Sequence, residues 1–136
     1  MTHASPSALK ILLIEDDATV RDVLSRMLTS LGHTVLQAAE GREGLERLEA
    51  GEAVDLLLTD LRMPNVTGWG VVKTVKARWP NLKVGVVTGT PETLWEEHDP
   101  AVDLVIAKPM RLPELQEALS RVLPGRAPPA TATPGG

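Results

Sequence analysis

The chain has 136 residues, of which 43% are hydrophobic and 24% are charged, so it fits one globular domain with a sizeable core. It contains no cysteine, which excludes disulfides, cysteine-based zinc sites and thiol nucleophiles, and its net charge of -4, with acids and bases interspersed, argues against direct nucleic-acid binding. No apolar run approaches the roughly 18 residues of a membrane span and the N-terminus lacks an export signal, so we expect a cytoplasmic protein without membrane insertion.

Five short apolar runs predict β-strands. In chain order they are KILLI at 10–14, TVLQA at 34–38, VDLLLT at 54–59, KVGVVT at 83–88 and LVIA at 104–107. Four of them are nearly continuous in apolar residues, which is typical of strands covered on both faces of a sheet. The run at 34–38 is more polar, which indicates an edge strand.

Segments in which apolar residues recur every three or four positions separate and follow these runs, and they predict helices. In chain order they are Val20–Leu31, a weaker segment around Leu45 and Leu48, Val71–Trp79, a short or irregular segment starting near Thr90 and Pro91, and Leu112–Val122. Asp17 can cap the first helix, Gly32 can close it, and Pro80 can end the third. The prediction is therefore five strands and five helices in alternation.

Alternation of this kind predicts an α/β fold, a parallel sheet with right-handed crossovers and helices on both faces. In such sheets ligands bind at the carboxyl ends of the strands, near the point where strand order reverses. The polar residues at the predicted strand ends are Glu15, Asp16 and Asp17 after the first strand, Asp60 after the third, Thr88 after the fourth and Lys108 after the fifth. We therefore expect these side chains to meet at one edge of the sheet.

The acids of this cluster require a cation. Two carboxylates roughly 5 Å apart repel each other by about 3 kcal/mol at an effective dielectric constant of about 20. Mg²⁺ prefers such hard oxygen ligands and keeps positions open for phosphate oxygens, and Mn²⁺ could substitute for it. With the Lys108 amine and the Thr88 hydroxyl nearby, the cluster would bind a phosphoryl group, and Asp60 is the candidate nucleophile that would form an acyl phosphate.

Four motifs, in order and at nearly the right spacing, resemble the receiver domain of two-component response regulators, in particular the chemotaxis-like single-domain type. The motifs are ILLIEDD at 11–17, LLLTDLRMPN at 56–65, VVTG at 86–89 and KP at 108–109. The resemblance implies a flavodoxin-like, doubly wound sheet with the strand order 2-1-3-4-5, the order already described for a chemotaxis receiver.

The resemblance also implies a role for each matching residue. Asp60 would accept a phosphoryl group from a phosphohistidine on a sensor histidine kinase or a phosphotransfer protein. The metal would be held by Glu15, Asp16, Asp60 and the backbone carbonyl of Arg62. Thr88 and Lys108 would contact the bound phosphoryl group, and the phosphorylated protein would act on a downstream protein target.

One departure from the family bears on how such a signal would spread. Val105 stands where many receivers have a tyrosine or phenylalanine whose ring swings inward when the threonine moves. The chain has no Phe and no Tyr. A switch that couples the threonine to an aromatic ring therefore cannot operate here in its usual form.

Three other functions are compatible with parts of the pattern. A haloacid-dehalogenase-like phosphatase also uses a strand-end aspartate with Mg²⁺, but it needs an acid two residues later, where this chain has Arg62. A degenerate receiver would bind a partner without being phosphorylated, yet every expected site residue is present. A receiver segment of a hybrid histidine kinase would carry the same motifs as a stand-alone receiver.

The composition also predicts the boundaries of the domain. We expect a flexible N-terminus at 1–7, a receiver domain at 8–124 and a disordered tail rich in Pro, Gly, Ala and Thr at 125–136. The tail leaves no room for an output domain, so we expect output through protein–protein contact.

Overall fold

The computed structural model describes residues 8–60, 68–89, 102–108 and 110–122. Its elements, in chain order, are β1 (Lys10–Ile14), α1 (Ala18–Ser30), β2 (Thr34–Ala38), α2 (Gly41–Glu49), β3 (Leu56–Asp60), α3 (Gly68–Arg78), β4 (Lys83–Thr88), β5 (Leu104–Ala107) and α4 (Leu112–Ser120). The helix predicted near Thr90 and Pro91 lies outside the described residues, as do the predicted N-terminal segment at 1–7 and the tail at 125–136. No helix in the described part of the chain has the length and apolar character needed to span a bilayer.

The five strands form one parallel sheet in the order β2-β1-β3-β4-β5, which confirms the predicted fold class. The chain runs outward from β1 to β2 and then crosses to β3 on the other side of β1. Strand order therefore reverses between β1 and β3. A crevice at the carboxyl ends of these two strands is the usual ligand site of such a sheet.

Both faces of the sheet are covered, which explains why the central strands are continuously apolar. Ile11 and Leu13 of β1 belong to one core cluster, which includes buried residues of α1 and α4. Leu12 and Ile14 belong to the opposite cluster, which includes buried residues of α2 and α3. Successive side chains of a strand point to opposite faces, so each face of β1 requires its own apolar residues.

Strand β5 departs from the prediction that its apolar run is covered on both faces. Leu104 and Ile106 are buried, whereas Val105 is 38% exposed and Ala107 is also exposed. Leu104 and Ile106 share the core cluster that includes α4, whereas Val105 and Ala107 lie on the opposite face of the strand, where both side chains are exposed. The run of four apolar residues therefore reads as a buried strand although only one face is buried.

The ends of α1 follow the predicted capping. The Asp17 carboxylate accepts hydrogen bonds from the backbone N–H groups of Thr19 and Val20, at 2.9 and 3.1 Å. Gly32, just after the helix, has a φ of 99°, a left-handed conformation that glycine adopts without steric cost. These two caps fix where the chain leaves β1 and where it enters β2.

Helix α2 packs unusually close to the end of β1. A Cβ atom added to Gly44 would lie 2.8 Å from Cγ1 of Ile14, which is closer than side chains tolerate. The absence of a side chain at position 44 thus lets α2 lie directly on Ile14, the residue that precedes Glu15. Close packing at this point fixes the end of β1, from which the site is built.

Candidate functional site

The carboxyl ends of β3, β4 and β5 lie side by side. Asp60 is paired with Val87, which precedes Thr88, and Thr88 is paired with Ala107, which precedes Lys108. The backbone N–H of Lys108 also donates a hydrogen bond of 2.8 Å to the carbonyl of Thr88. The register of a parallel sheet therefore brings together three residues that are up to 48 positions apart in the chain.

The predicted acidic residues meet at the same edge. One carboxylate oxygen from each of Glu15, Asp16 and Asp60 lies within 4.8 Å of the others. Glu15 and Asp60 are buried, at 1% and 7% exposure, and Asp16 is exposed. The cluster thus has two acids at its floor and one at its rim.

Lys108 joins the two buried acids. Its Nζ donates to Oε1 of Glu15 and to Oδ2 of Asp60, both at 3.1 Å, and its side chain is 25% exposed. Burial lowers the pKa of Lys108, but the hydrogen bonds to Asp60 and Glu15 and their charges outweigh burial, and the net shift of its pKa is upward. Lys108 therefore stays protonated and carries a positive charge beside Asp60.

The buried carboxyl group of Glu15 is harder to ionise than an exposed one. Its pKa is raised from 4.5 to about 6, mainly by burial. The Asp60 charge also raises this pKa, whereas the hydrogen bond from the Asp17 backbone N–H and the contact with Lys108 lower it. The Asp17 N–H donates to Oε2 of Glu15 at 3.1 Å. A nearby divalent cation would stabilise the charged form.

The donor set fits a hard divalent cation. Mg²⁺ binds oxygens at about 2.1 Å, so ligands on opposite sides of the ion lie about 4 Å apart, and the ion keeps several waters. Carboxylate oxygens within 4.8 Å of one another fit this spacing after small movements, or with one acid acting through a bound water. The predicted fourth ligand, the carbonyl of Arg62, lies outside the described residues.

A match to a known family covers most of the chain. The sequence model of the family described as "Response regulator receiver domain" matches residues 11–120. The chain belongs to this family. The resemblance drawn from the four motifs is thereby confirmed.

Individual relatives agree with this assignment. The Chemotaxis protein CheY homolog of Campylobacter jejuni is 33% identical over 120 residues, which cover 85% of this chain and 92% of that protein. The Sporulation initiation phosphotransferase F of Bacillus subtilis is 28% identical over 117 residues, covering 85% and 94%. The solved structure of the chemotaxis response regulator CheY4 of Vibrio cholerae has a TM-score of 0.75 and 29% identity, covering 84% and 98%.

Membership defines the function at the level of the family. The chain is a phosphoacceptor receiver of two-component signalling, a class of domain that interacts with histidine kinases and with downstream targets. The geometry adds what membership alone does not: the three acids and the lysine expected at the site are in contact or within a few ångströms of one another. Thr88 is buried at the same edge, at 3% exposure.

The receiver site also includes a residue that the sequence did not point to. Arg21, in the first turn of α1, donates a hydrogen bond from Nη1 to the backbone carbonyl of Glu15 at 2.7 Å. The only signal in the sequence is an arginine a few residues after the acids. Many helices carry such an arginine on a solvated face, so its contact could not be inferred from spacing.

An apolar groove adjoins the receiver site. It has a volume of about 270 Å³ and is lined by Thr19, Val20, Val23, Leu24, Met27, Lys108 and Met110. Val23, on the outer side of α1, is 49% exposed. Lys108 belongs both to the groove, called here the α1 groove, and to the hydrogen-bonded cluster around Asp60.

Proposed function

We propose that this receiver takes a phosphoryl group from a phosphohistidine onto Asp60, with Mg²⁺ or Mn²⁺ as the required cation, and signals by contact with a downstream protein. The observation that carries the proposal is the contact of Lys108 Nζ with Asp60, at 3.1 Å, beside carboxylate oxygens of Glu15 and Asp16. Asp60 is buried at the site of a reversal in strand order, where a ligand can reach it.

Each described side chain has a defined part in the transfer. A carboxylate oxygen of Asp60 attacks the phosphorus, the bond between phosphorus and the donor imidazole nitrogen breaks, and that nitrogen keeps the electron pair. The protonated amine of Lys108 and the hydroxyl of Thr88 interact with oxygens of the transferred group. The cation, held by Glu15, Asp16 and Asp60, supplies neutralisation of the phosphoryl charge when it is bound.

The α1 groove is the surface that we assign to the phosphohistidine protein, either a sensor histidine kinase or a phosphotransfer protein. The donor must bring its histidine to Asp60, so it has to cover the surface next to Asp60. Lys108 lies at the boundary of the groove and the site, and the other lining residues are mostly apolar. Burial of the exposed Val23 against an apolar side chain of the donor would stabilise that complex.

The test is phosphorylation by a small-molecule donor. Wild type, Asp60→Asn and the control Asp22→Asn are incubated with acetyl phosphate, with Mg²⁺ or with EDTA, and acid-labile phosphate on the protein is measured. Asp22 is an exposed aspartate of α1 that pairs with Arg26, so its replacement removes a carboxylate away from the cluster. We expect Mg²⁺-dependent labelling of the wild type and Asp22→Asn, and none of Asp60→Asn.

Three outcomes would contradict the proposal in different ways. No labelling of the wild type with Mg²⁺ would favour a receiver that only binds a partner. Sustained turnover of small phosphoesters, without stable labelling, would favour a phosphatase. Labelling of Asp60→Asn at the wild-type level would show that another residue is the acceptor.

A further inference from the structure

Arg21 is directed at the main chain of the site and not at its acids. Its partly buried guanidinium donates to the carbonyl oxygen of Glu15 at 2.7 Å. Within the described part of the chain, Arg21 forms no salt bridge, although Glu15 and Asp16, two of the three acids of the site, lie at the turn that it contacts. Its contact therefore fixes backbone and does not neutralise an acid.

The hydrogen bond acts on the peptide that leads into Asp16. The carbonyl of Glu15 and the N–H of Asp16 belong to one planar peptide unit, so holding the carbonyl fixes the plane from which the Asp16 side chain projects. The preceding peptide is also held, because the N–H of Glu15 donates to the carbonyl of Ala38 at 3.1 Å. The following N–H, that of Asp17, donates to Oε2 of Glu15.

Asp16 depends on this backbone support more than the other two acids do. Glu15 and Asp60 are buried and bonded to Lys108. Asp16 is exposed, and no described group donates a hydrogen bond to its carboxylate. Without the Arg21 contact, the Glu15–Asp16 peptide could rotate and Asp16 would spend less time facing the other two acids.

We infer that Arg21 is a positioning residue for the cation site, which orients Asp16 by holding the Glu15–Asp16 peptide. The inference rests on the proposed function, since it assumes that these acids bind a divalent cation. It extends that function to a residue whose side chain contacts the backbone of the site. Support of metal ligands by neighbouring groups of this kind typically contributes tenfold or more to metal affinity.

When Arg21 is replaced, loss of its charge and loss of its backbone contact predict changes of opposite sign in the affinity for Mg²⁺. Arg21→Met removes a positive charge close to a cation site, so electrostatics alone predicts tighter binding of Mg²⁺. Loss of the backbone contact predicts weaker binding, on the order of tenfold. The sign of the change therefore separates the two explanations.

The experiment is a titration of the unphosphorylated protein with MgCl₂, followed by backbone amide shifts in NMR spectra at constant ionic strength. Wild type, Arg21→Met, Arg21→Lys and Arg26→Met are compared. Arg26 is a matched control on the same helix, because its replacement removes the same charge and, among the residues that the structure describes, its exposed side chain pairs with Asp22 alone. We expect Arg21→Met to bind Mg²⁺ about tenfold more weakly, and Arg26→Met to bind as the wild type does.

Arg21→Lys tests the contact without removing the charge, and it keeps the comparison available if Arg21→Met unfolds. Lysine retains one donor on a shorter side chain, so we expect its Mg²⁺ affinity to fall between those of the wild type and Arg21→Met. Thermal unfolding curves establish that each variant is folded at the titration temperature. A global loss of stability does not change the Mg²⁺ midpoint of the protein that remains folded.

Unchanged or tighter Mg²⁺ binding by Arg21→Met, or binding by Arg21→Lys that is tighter than wild type, would overturn the inference. Either result would leave the proposed function intact, provided that the wild type binds Mg²⁺ and is labelled by acetyl phosphate. A wild type that binds no Mg²⁺ would instead refute the cation requirement, and with it the role of Arg21.

Discussion

The raised pKa of Glu15 predicts a specific dependence of stability on pH when no metal is present. The pKa of this buried carboxyl lies at about 6 in the folded protein and near 4.5 in the unfolded chain. A group with a raised folded-state pKa contributes its full stability below the unfolded pKa, and loses it as pH rises through the folded pKa. The contribution of Glu15 should therefore be complete only below pH 4.5 and be lost as the pH rises above 6.

The size of this loss follows from the shift. One pKa unit corresponds to 1.36 kcal/mol, so the rise from 4.5 to about 6 gives about 2 kcal/mol. Glu15→Gln removes the titration and resembles the protonated form of the carboxyl. Relative to the wild type, the variant should gain about 2 kcal/mol of unfolding free energy between about pH 3.5, where both states are protonated, and about pH 7, whatever its stability at the lower pH.

The assay is urea unfolding of both proteins in EDTA at a series of pH values from about 3.5 to about 7.5, which brackets both pKa values. With a urea m-value of roughly 2 kcal/mol/M, the difference between the two midpoints should change by about 1 M across this range. Other titrating groups contribute to both proteins and cancel in the difference. One such group is His33, whose pKa is lowered by burial and whose Nδ1 accepts a hydrogen bond from the Leu9 N–H.

Parallel stability curves for the two proteins would refute the reasoning, because they would show that Glu15 titrates alike in the folded and unfolded states. Mg²⁺ provides a second check at pH 7. Binding to the folded protein stabilises it by RT ln(1 + [Mg²⁺]/Kd), so the wild type should gain more from Mg²⁺ than Glu15→Gln does. An equal gain in both proteins would exclude Glu15 from the metal site.

Two further predictions concern the α1 groove and the packing of α2. Val23→Asp should slow phosphotransfer from a phosphohistidine protein by about tenfold and leave labelling by acetyl phosphate unchanged. The control, Val105→Asp, changes a similarly exposed valine outside the groove and should alter neither rate. If Val23→Asp slowed labelling by both donors equally, docking in the groove would be contradicted. Gly44→Ala should lower the unfolding free energy by roughly 1–3 kcal/mol despite alanine's higher helix propensity, because its Cβ would lie 2.8 Å from Cγ1 of Ile14. Gly89→Ala, whose Cβ would meet nothing within 4 Å, is the control, and urea unfolding that found Gly44→Ala at least as stable as the wild type would contradict the packing explanation.

The parts of the fold that were predictable from sequence depend on periodicity and on the direction of the strands. Continuous apolar runs such as that at Leu56–Leu58 indicated strands covered on both faces, and both core clusters confirm this for β1 and β3. Because the strands are parallel, their polar ends had to lie at one edge of the sheet, which predicted Asp60 and Lys108 at the same edge. Strand order itself came from the family resemblance, since alternation of strands and helices does not specify it.

The features that were not predictable depend on where a side chain points or on what covers a strand. Val105 reads as part of a buried run because four apolar residues are too few to reveal alternation, although its side chain lies on the exposed face of β5. Arg21 reads as a solvated helix residue because its contact with Glu15 requires the side chain to turn back along the helix toward β1. Val23 follows the apolar period of α1 but lies at its margin, where periodicity does not distinguish core from groove.

Lys108 connects the electrostatics of the site with its chemistry. Before phosphorylation its amine bonds Glu15 and Asp60 equally, at 3.1 Å each, so it partly offsets the repulsion between two buried carboxylates. Three acids and one amine still leave an excess of negative charge, which a cation can neutralise. A phosphoryl group on Asp60 would replace one carboxylate charge by a group with more negative charge, and the Lys108 amine would then interact more strongly with the phosphoryl oxygens than with Glu15. In the proposed function, one flexible side chain would therefore bond Glu15 and Asp60 before phosphorylation and the phosphoryl oxygens after it.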